Sequence, residues 1–209
     1  MLQRTSCQAH VSLCRTPARF YSVIKIYDIF TIAFFLSSRF TDIMATIKFH
    51  DHVIQTSGSL PAVGQKAPDF RLVGSDLSNV SLADFAGKTL VLNIFPSVDT
   101  PVCANSVRKF NESASSLPNA AVLCVSMDLP FATGRFCGAE GLKNVKTASD
   151  YRTHEFSKIY GVRMNDGPLA GLCARAVVVV GPDGNVKYTE LVPVVEQEPN
   201  YDAALAAAK

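Results

Sequence analysis

Hydrophobic positions in this chain gather into separate runs. Three of them, Thr89–Phe95 (TLVLNIF), Ala120–Met127 (AAVLCVSM) and Ala174–Val180 (ARAVVVV), carry little polar alternation. That is the pattern of central strands covered by helices on both faces. Ile47–Phe49 and Val53–Gln55 flank a short polar turn and predict an N-terminal hairpin, followed by a Ser-Gly-Ser-Leu-Pro loop. Gly64–Pro68 then leads into a strand at Asp69–Val73. Helices are predicted at Pro101–Ser115, at Pro130–Cys137 and at Tyr151–Tyr160, the last after a short strand at Asn144–Ala148. Pro182–Asn185 is a tight turn that makes Val177–Val180 and Val186–Leu191 an antiparallel hairpin, and Ala-rich Asn200–Lys209 is the closing helix. A βαβ unit followed by a βββα-like end predicts an α/β fold: a central mixed β-sheet flanked by helices, with an N-terminal β-hairpin.

The texture changes before Met44. Residues 1–43 are Arg-bearing, acid-poor and rich in Ser and Thr, with an apolar stretch from Phe20 to Leu36 interrupted by Lys25 and Asp28. A membrane-spanning helix needs about 20 apolar residues with few or no charges, and a secretory signal needs an unbroken apolar centre and a small-residue cleavage site. Neither pattern fits, so no stable membrane insertion is expected. The composition suits a mitochondrial transit peptide, and it suits equally an upstream region read in frame from a misplaced start, since Met44-Ala-Thr-Ile-Lys-Phe reads as a natural beginning. The expected division is an N-terminal extension, 1–43, outside the fold and one domain, 44–209, without repeats or long linkers. The expected location is cytoplasmic, or mitochondrial if the extension is a true transit peptide.

Charge follows the same division. The net +2 consists of five basic and two acidic residues before Met44 and 15 basic against 16 acidic from Met44 onward. The main part is nearly neutral and has no basic run interleaved with aromatics, which leaves nucleic-acid binding without an electrostatic basis. With 48% hydrophobic and 18% charged residues, most of the chain is expected to be folded and not disordered. Six cysteines in 209 residues are too few for a disulfide scaffold, so each is a core residue, a redox group or a metal ligand. Cys7 and Cys14, in the extension, have no ligand spacing. No C-x-x-C pair occurs, and His50 and His52 around Asp51 are the only near pair of histidines. Gly-rich phosphate loops and G-x-S-x-G elbows are also missing. Neither a metal nor an organic cofactor is expected.

Cys103 occupies the most informative position. Thr100 is a good N-cap and Pro101 suits the first helical position, which puts Cys103 in the first turn. Unpaired N–H groups and the positive end of the helix dipole favour a thiolate there. The Thr100 hydroxyl, three residues earlier, can curl back toward the sulfur. Packing of the helix on the sheet would place a cysteine there as well.

Pro96, Thr100 and Cys103 match the P-x-x-x-T-x-x-C motif of the peroxiredoxins, and Asn93–Ala104 (NIFPSVDTPVCA) resembles their thiol peroxidase subfamily of atypical two-cysteine enzymes. Arg135–Leu142 (RFCGAEGL) resembles that subfamily's resolving-cysteine segment, and Ala174–Val179 (ARAVVV) its arginine-bearing strand. The resemblance runs from about Met44 to the C-terminus and does not cover Met1–Ile43. It implies a thioredoxin-like fold, which the order of elements fits but does not by itself separate from other α/β folds. It also implies a thiol-dependent peroxidase of antioxidant defence that reduces hydrogen peroxide and alkyl or lipid hydroperoxides. In that reading Cys103 is the peroxidatic nucleophile, Arg175 supplies positive charge, and Thr100 with the Cys103 N–H positions the peroxide oxygens. Pro96 shields the sulfur, and Cys137 resolves the sulfenic acid as a Cys103–Cys137 disulfide. The resemblance further implies thioredoxin as reductant and a homodimer.

Glycines at 138 and 141, just past Cys137, permit the helix end to fray. Cys124, inside an apolar strand, reads as core. Cys173, two residues before Arg175, reads as incidental or as a thiol near the site. Leu129, Phe131 and Leu172 suit an apolar substrate, although such residues more often belong to a core. The competing function is a redox-sensing protein of the same fold that relays oxidation to a partner by disulfide exchange. The presence of both Thr100 and Arg175 favours the peroxidase.

Overall fold

The computed structural model describes residues 44–209; Cys7, Cys14 and the rest of the expected extension lie outside the described residues. Strands β1 (Thr46–Phe49) and β2 (His52–Gln55) form the predicted hairpin around His50-Asp51. They are followed by β3 (Arg71–Gly74), β4 (Asn79–Ser81) and a 3-10 turn at Leu82–Phe85. The central unit is β5 (Thr89–Ile94), α1 (Pro101–Ala114), β6 (Ala120–Ser126), α2 (Pro130–Glu140) and β7 (Val145–Ser149). A short α3 (Glu155–Ile159) precedes β8 (Ala176–Val180) and β9 (Val186–Leu191), and α4 (Tyr201–Ala208) closes the chain.

The main sheet has the order β4-β3-β7-β6-β5-β8-β9. Its centre, β5-β6-β7, is parallel, and the strands added at either side run antiparallel. Side-chain alternation divides the core into two layers. Val91, Val122, Cys124, Val177 and Val179 face α1, α2 and α4 together with Cys103, Val107 and Phe110. Leu90, Leu92, Ile94, Leu123, Val125 and Val178 face the other way, onto Ile47 and Ile54 of the hairpin and onto Phe85, Phe156 and Tyr160. Burial on both faces explains why these strands read as continuous apolar runs.

Two local readings change. The helix expected over Tyr151–Tyr160 is cut to Glu155–Ile159, because His154 adopts a left-handed φ of 55°. Buried Asp150 caps what remains, its carboxylate accepting from the N–H groups of Phe156 (3.2 Å) and Ser157 (2.9 Å). The helix carrying Cys137 continues three residues beyond the predicted end, to Glu140, where Gly141 at φ 67° supplies a left-handed cap. Strand β4 and its 3-10 turn carry no apolar run for sequence reasoning to use. Their signature is a capping box, in which the Ser81 N–H donates to Asp84 at 2.7 Å.

Candidate active site

The end of β5 delivers Phe95 and Pro96, both buried, and the chain then turns through Ser97–Thr100 into α1. Cys103 is the third residue of α1 and fully buried. The first backbone bond of this helix runs from the Ala104 N–H to the Thr100 carbonyl at 2.9 Å. The Cys103 N–H precedes it, among the donors a helix start leaves without intrahelical partners. Thr100 sits at the N-cap through its backbone but makes no side-chain cap. Its hydroxyl donates to the Ser97 carbonyl at 3.2 Å, which corrects the expectation that it curls back toward the sulfur. Thr100 is exposed at the mouth of the site.

Arg175 reaches this sulfur through sheet register. Ile94 of β5 pairs with Ala176 of β8, so the residue before Ala176 lies beside the β5–α1 loop. Alternation along β8 puts Arg175 on the same face as Val177 and Val179, the face covered by α1. Its Nη2 donates to Cys103 Sγ at 3.4 Å and its Nε to the Val195 carbonyl at 3.0 Å. Arg175 is 2% exposed, and its Nη1 has no partner. A buried guanidinium nitrogen with nothing to bond is costly unless something polar binds there. The segment holding Val195 is itself held by the hairpin: Lys48 donates to the Pro193 carbonyl at 2.8 Å, and Val195 donates to the Lys48 carbonyl at 2.9 Å.

Sequence reasoning missed Asp128. Its carboxylate accepts from Ser97 Oγ (2.7 Å), the Val98 N–H (2.7 Å) and Ser126 Oγ (2.8 Å), tying the loop after β6 to the loop that presents Cys103. The polar spacing Ser126-x-Asp128 next to an apolar strand was the only available signal. Below Cys103, Ser106 Oγ donates to the Cys103 carbonyl at 2.8 Å and accepts from Asn93 at 3.2 Å, so a polar brace replaces an apolar residue inside β5.

All four described cysteines are free thiols. Cys137 is half-buried in the last turn of α2, its carbonyl accepting from Leu142 at 2.9 Å. Burial, and then the charge of Glu140, push its thiol above the ordinary value. Glu140 itself is held by Arg108 of α1 in a two-pronged ion pair with both contacts at 2.6 Å, so α1 and α2 are clipped together. Cys124 is buried under α1, as expected of a core cysteine. Cys173 belongs to the opposite core layer from Cys103, and so does its neighbour Ala174, so the strict alternation of β8 does not extend back to it. Leu129 and Phe131 are 51% and 67% exposed and so are not core, while Leu172 packs against the far layer. His50 bonds to Glu196 at 2.8 Å, and no group of three potential metal ligands occurs among the described residues.

A profile of the Redoxin family matches residues 62–205. The chain belongs to the redoxin family. It is 61% identical over 164 residues to the thiol peroxidases of Mycobacterium tuberculosis and Mycobacterium bovis, a span of 78% of this chain and 98% of each relative. The crystal structure of a peroxiredoxin-like protein from Aquifex aeolicus superposes with a TM-score of 0.74 at 38% identity, covering 79% of this chain and 96% of that one. A thiol peroxidase from Chromobacterium violaceum shares the fold with a TM-score of 0.71 at 24% identity, covering 76% and 92%. This redoxin is therefore an enzyme, a thiol-dependent peroxidase of thioredoxin-like fold, as the motifs implied. Among its described residues no helix is long and apolar enough to cross a membrane.

Proposed function

We propose that this peroxidase reduces hydrogen peroxide and organic hydroperoxides through Cys103. The observation that carries the reading is the buried Arg175 fork, with Nη2 at 3.4 Å from Cys103 Sγ and Nη1 free to receive a peroxide oxygen. The Cys103 thiolate attacks one peroxide oxygen, an S–O bond forms as the O–O bond breaks, and the departing alkoxide or hydroxide takes up a proton. Arg175 stabilises the negative charge that moves onto that leaving oxygen. Thr100, turning its hydroxyl from Ser97 toward the peroxide, and the Cys103 N–H position the oxygens, while Pro96 excludes water. The exposed Leu129 and Phe131, next to Asp128, suit substrates with an alkyl or lipid tail.

The resulting sulfenic acid is condensed by Cys137, which forms the Cys103–Cys137 disulfide and releases water. A thioredoxin-like dithiol then reduces the disulfide. Because Cys103 is buried and Cys137 sits in the last turn of α2, the step needs α2 to loosen, and Gly138 and Gly141 make its end the place to do so. The reading extends to a homodimer in the cytoplasm, where free thiols persist. The curated relatives are bacterial, which gives a mitochondrial location no support. The division into an extension, 1–43, and a peroxidase domain, 44–209, fits relatives that match over 98% of their own length within 164 residues of this chain.

The test treats the reduced protein with less than one equivalent of an organic hydroperoxide and follows thiol loss by mass spectrometry. Cys103→Ser should consume no peroxide; consumption at the unmodified rate sinks the mechanism. Cys137→Ser should complete one turnover and stop at a sulfenic acid. Failure of that variant to react once would make Cys137 structural.

A further inference from the structure

The guanidinium beside Cys103 is anchored to one backbone atom, the Val195 carbonyl, 3.0 Å from Arg175 Nε. Val195 belongs to residues 192–200, which join β9 to α4 and form no strand or helix of their own. A carbonyl on such a connection is only as well placed as the contacts that tie the connection down. One tie is the hairpin, whose Lys48 carbonyl accepts from the Val195 N–H at 2.9 Å. The Gln197 N–H then donates to the Val194 carbonyl at 2.9 Å, and this turn leads the chain toward α1. The second tie is Glu198. Its carboxylate accepts from Asn105 Nδ2 and, at 2.5 Å, from Lys109 Nζ. Positions 105 and 109 share one face of α1, and Asn105 stands just beyond Cys103 on that helix. The contacts close a ring that runs from Cys103 along α1 to Asn105, across to Glu198, back to Val195, and through Arg175 to the sulfur at 3.4 Å. Lys109 Nζ also lies 4.7 Å over the Tyr201 ring, which meets Phe110 at 5.3 Å, so the junction has an apolar half that does not need the carboxylate.

We propose that Glu198 is a positioning residue for peroxide reduction, which ties the connection carrying Val195 to α1 and so fixes the Arg175 fork against the Cys103 sulfur. The proposal rests on the reading of Cys103 as the nucleophile and Arg175 as the donor that activates the peroxide. The Lys109 bond holds the Glu198 carboxyl below the usual carboxylate range, so the tie is charged at neutral pH. The side chains of Glu198 and Lys109 are 35% and 45% exposed, and an ion pair so open to water adds little to stability. Attack on a peroxide, in contrast, depends steeply on geometry: a misplacement of about 1 Å can cost about 10²-fold. Loss of the carboxylate should therefore show in the oxidation of Cys103 before it shows in folding, and the Phe110–Tyr201 contact keeps α4 in place without it.

Glu198→Ala, Glu198→Gln and Lys109→Gln are each reduced, and oxidation of Cys103 by hydrogen peroxide is followed by rapid mixing over a single turnover, with urea denaturation alongside. Glu198→Ala should slow oxidation about tenfold, and the two glutamine variants, which keep a neutral hydrogen bond, about threefold, all with an unchanged urea midpoint. Glu198→Ala added to Arg175→Met should slow oxidation no further than Arg175→Met alone, because Glu198 acts through Arg175; a full second loss in the double variant overturns the proposal. An unchanged rate in Glu198→Ala overturns it as well. So does a faster rate, which would show that the carboxylate only opposes the charge of Arg175, and so does a slower rate that tracks a lower urea midpoint, which would make Glu198 structural. If Arg175→Met by itself oxidises at the unmodified rate, the reading of the site fails first, a result visible before position 198 is changed.

Discussion

The Nη2 of Arg175 stands 3.4 Å from the sulfur of Cys103 across 72 residues of sequence, and the same guanidinium is anchored by its Nε to the Val195 carbonyl. The pairing joins a strand start to a helix start. One end of the fork is fixed by the backbone, one reaches the sulfur, and one is free.

Substitution of that fork should act on chemistry more than on folding. Arg175→Met should slow thiol oxidation by peroxide by about 10²–10³-fold, the range for loss of one preorganised donor to a developing charge. It should also cost about 1–3 kcal/mol of stability by leaving the Val195 carbonyl unpaired. Arg175→Lys should fall between, since it keeps the charge and loses the fork. Rapid-mixing kinetics of the first turnover, with urea denaturation alongside, separates the two effects; an unchanged oxidation rate would remove Arg175 from the site.

Asp128 should behave as a positioning residue. Asp128→Asn keeps an acceptor but loses the charge that strengthens three bonds, and Asp128→Ala loses them all. Stability should fall by about 1–3 kcal/mol for the alanine variant and by less for asparagine. The first-turnover rate should follow the same order, because the loop from Pro96 to Thr100 is no longer tied to the end of β6. Equal rates in all three proteins would confine Asp128 to a structural part.

Disulfide formation should depend steeply on pH. Burial and the Glu140 charge hold the Cys137 thiol above its ordinary value, so little thiolate exists near neutrality. Below that raised value the resolving step should quicken about tenfold per pH unit. Glu140→Gln should move the profile to lower pH by removing the charge, and should quicken the step at every pH by releasing the Arg108 clip on α2. Mass spectrometry of quenched samples, counting sulfenic acid against disulfide, reads the step directly. A flat profile would mean that opening of α2, and not thiol ionisation, sets the rate.

The buried cysteines should make the fold sensitive to alkali. Burial pushes the Cys124 thiol from 9.0 up to about 12, and it raises Cys173 as well. Above about pH 9 the unfolded chain releases these protons and the folded chain keeps them. The stabilisation is therefore complete below that pH and is lost as pH rises toward the folded values, by about 1.4 kcal/mol per unit for each thiol. Urea denaturation above about pH 9 should show a shallower loss in Cys124→Ala than in the unsubstituted protein. Identical slopes would show that Cys124 ionises alike in both states.

Much of the fold was legible because its strands are buried on both faces and announce themselves as unbroken apolar runs, as Ala176–Val180 does. The elements that escaped owe little to apolar periodicity. β4 is three residues long and held by pairing with β3. The shortened α3 depends on a left-handed His154 and on the buried Asp150 carboxylate. Thr100 was placed correctly as the N-cap residue, but its hydroxyl direction was not legible, since the Ser97 carbonyl that holds it is set by the loop.

By itself the sequence determined that Cys103 begins a helix after an apolar strand, that Pro96 and Thr100 stand at fixed spacing before it, and that Cys137 lies near the end of a later helix, beside glycines. These are local properties, set by capping, proline geometry and periodicity. The tertiary structure decided which residues meet. Antiparallel register between β5 and β8 brings Arg175 to the sulfur, the irregular backbone before β8 leaves Cys173 in the other layer, and Asp128 ties two loops together. Contacts of that kind depend on register and on the face each side chain takes, which no stretch of chain specifies until the strands pair.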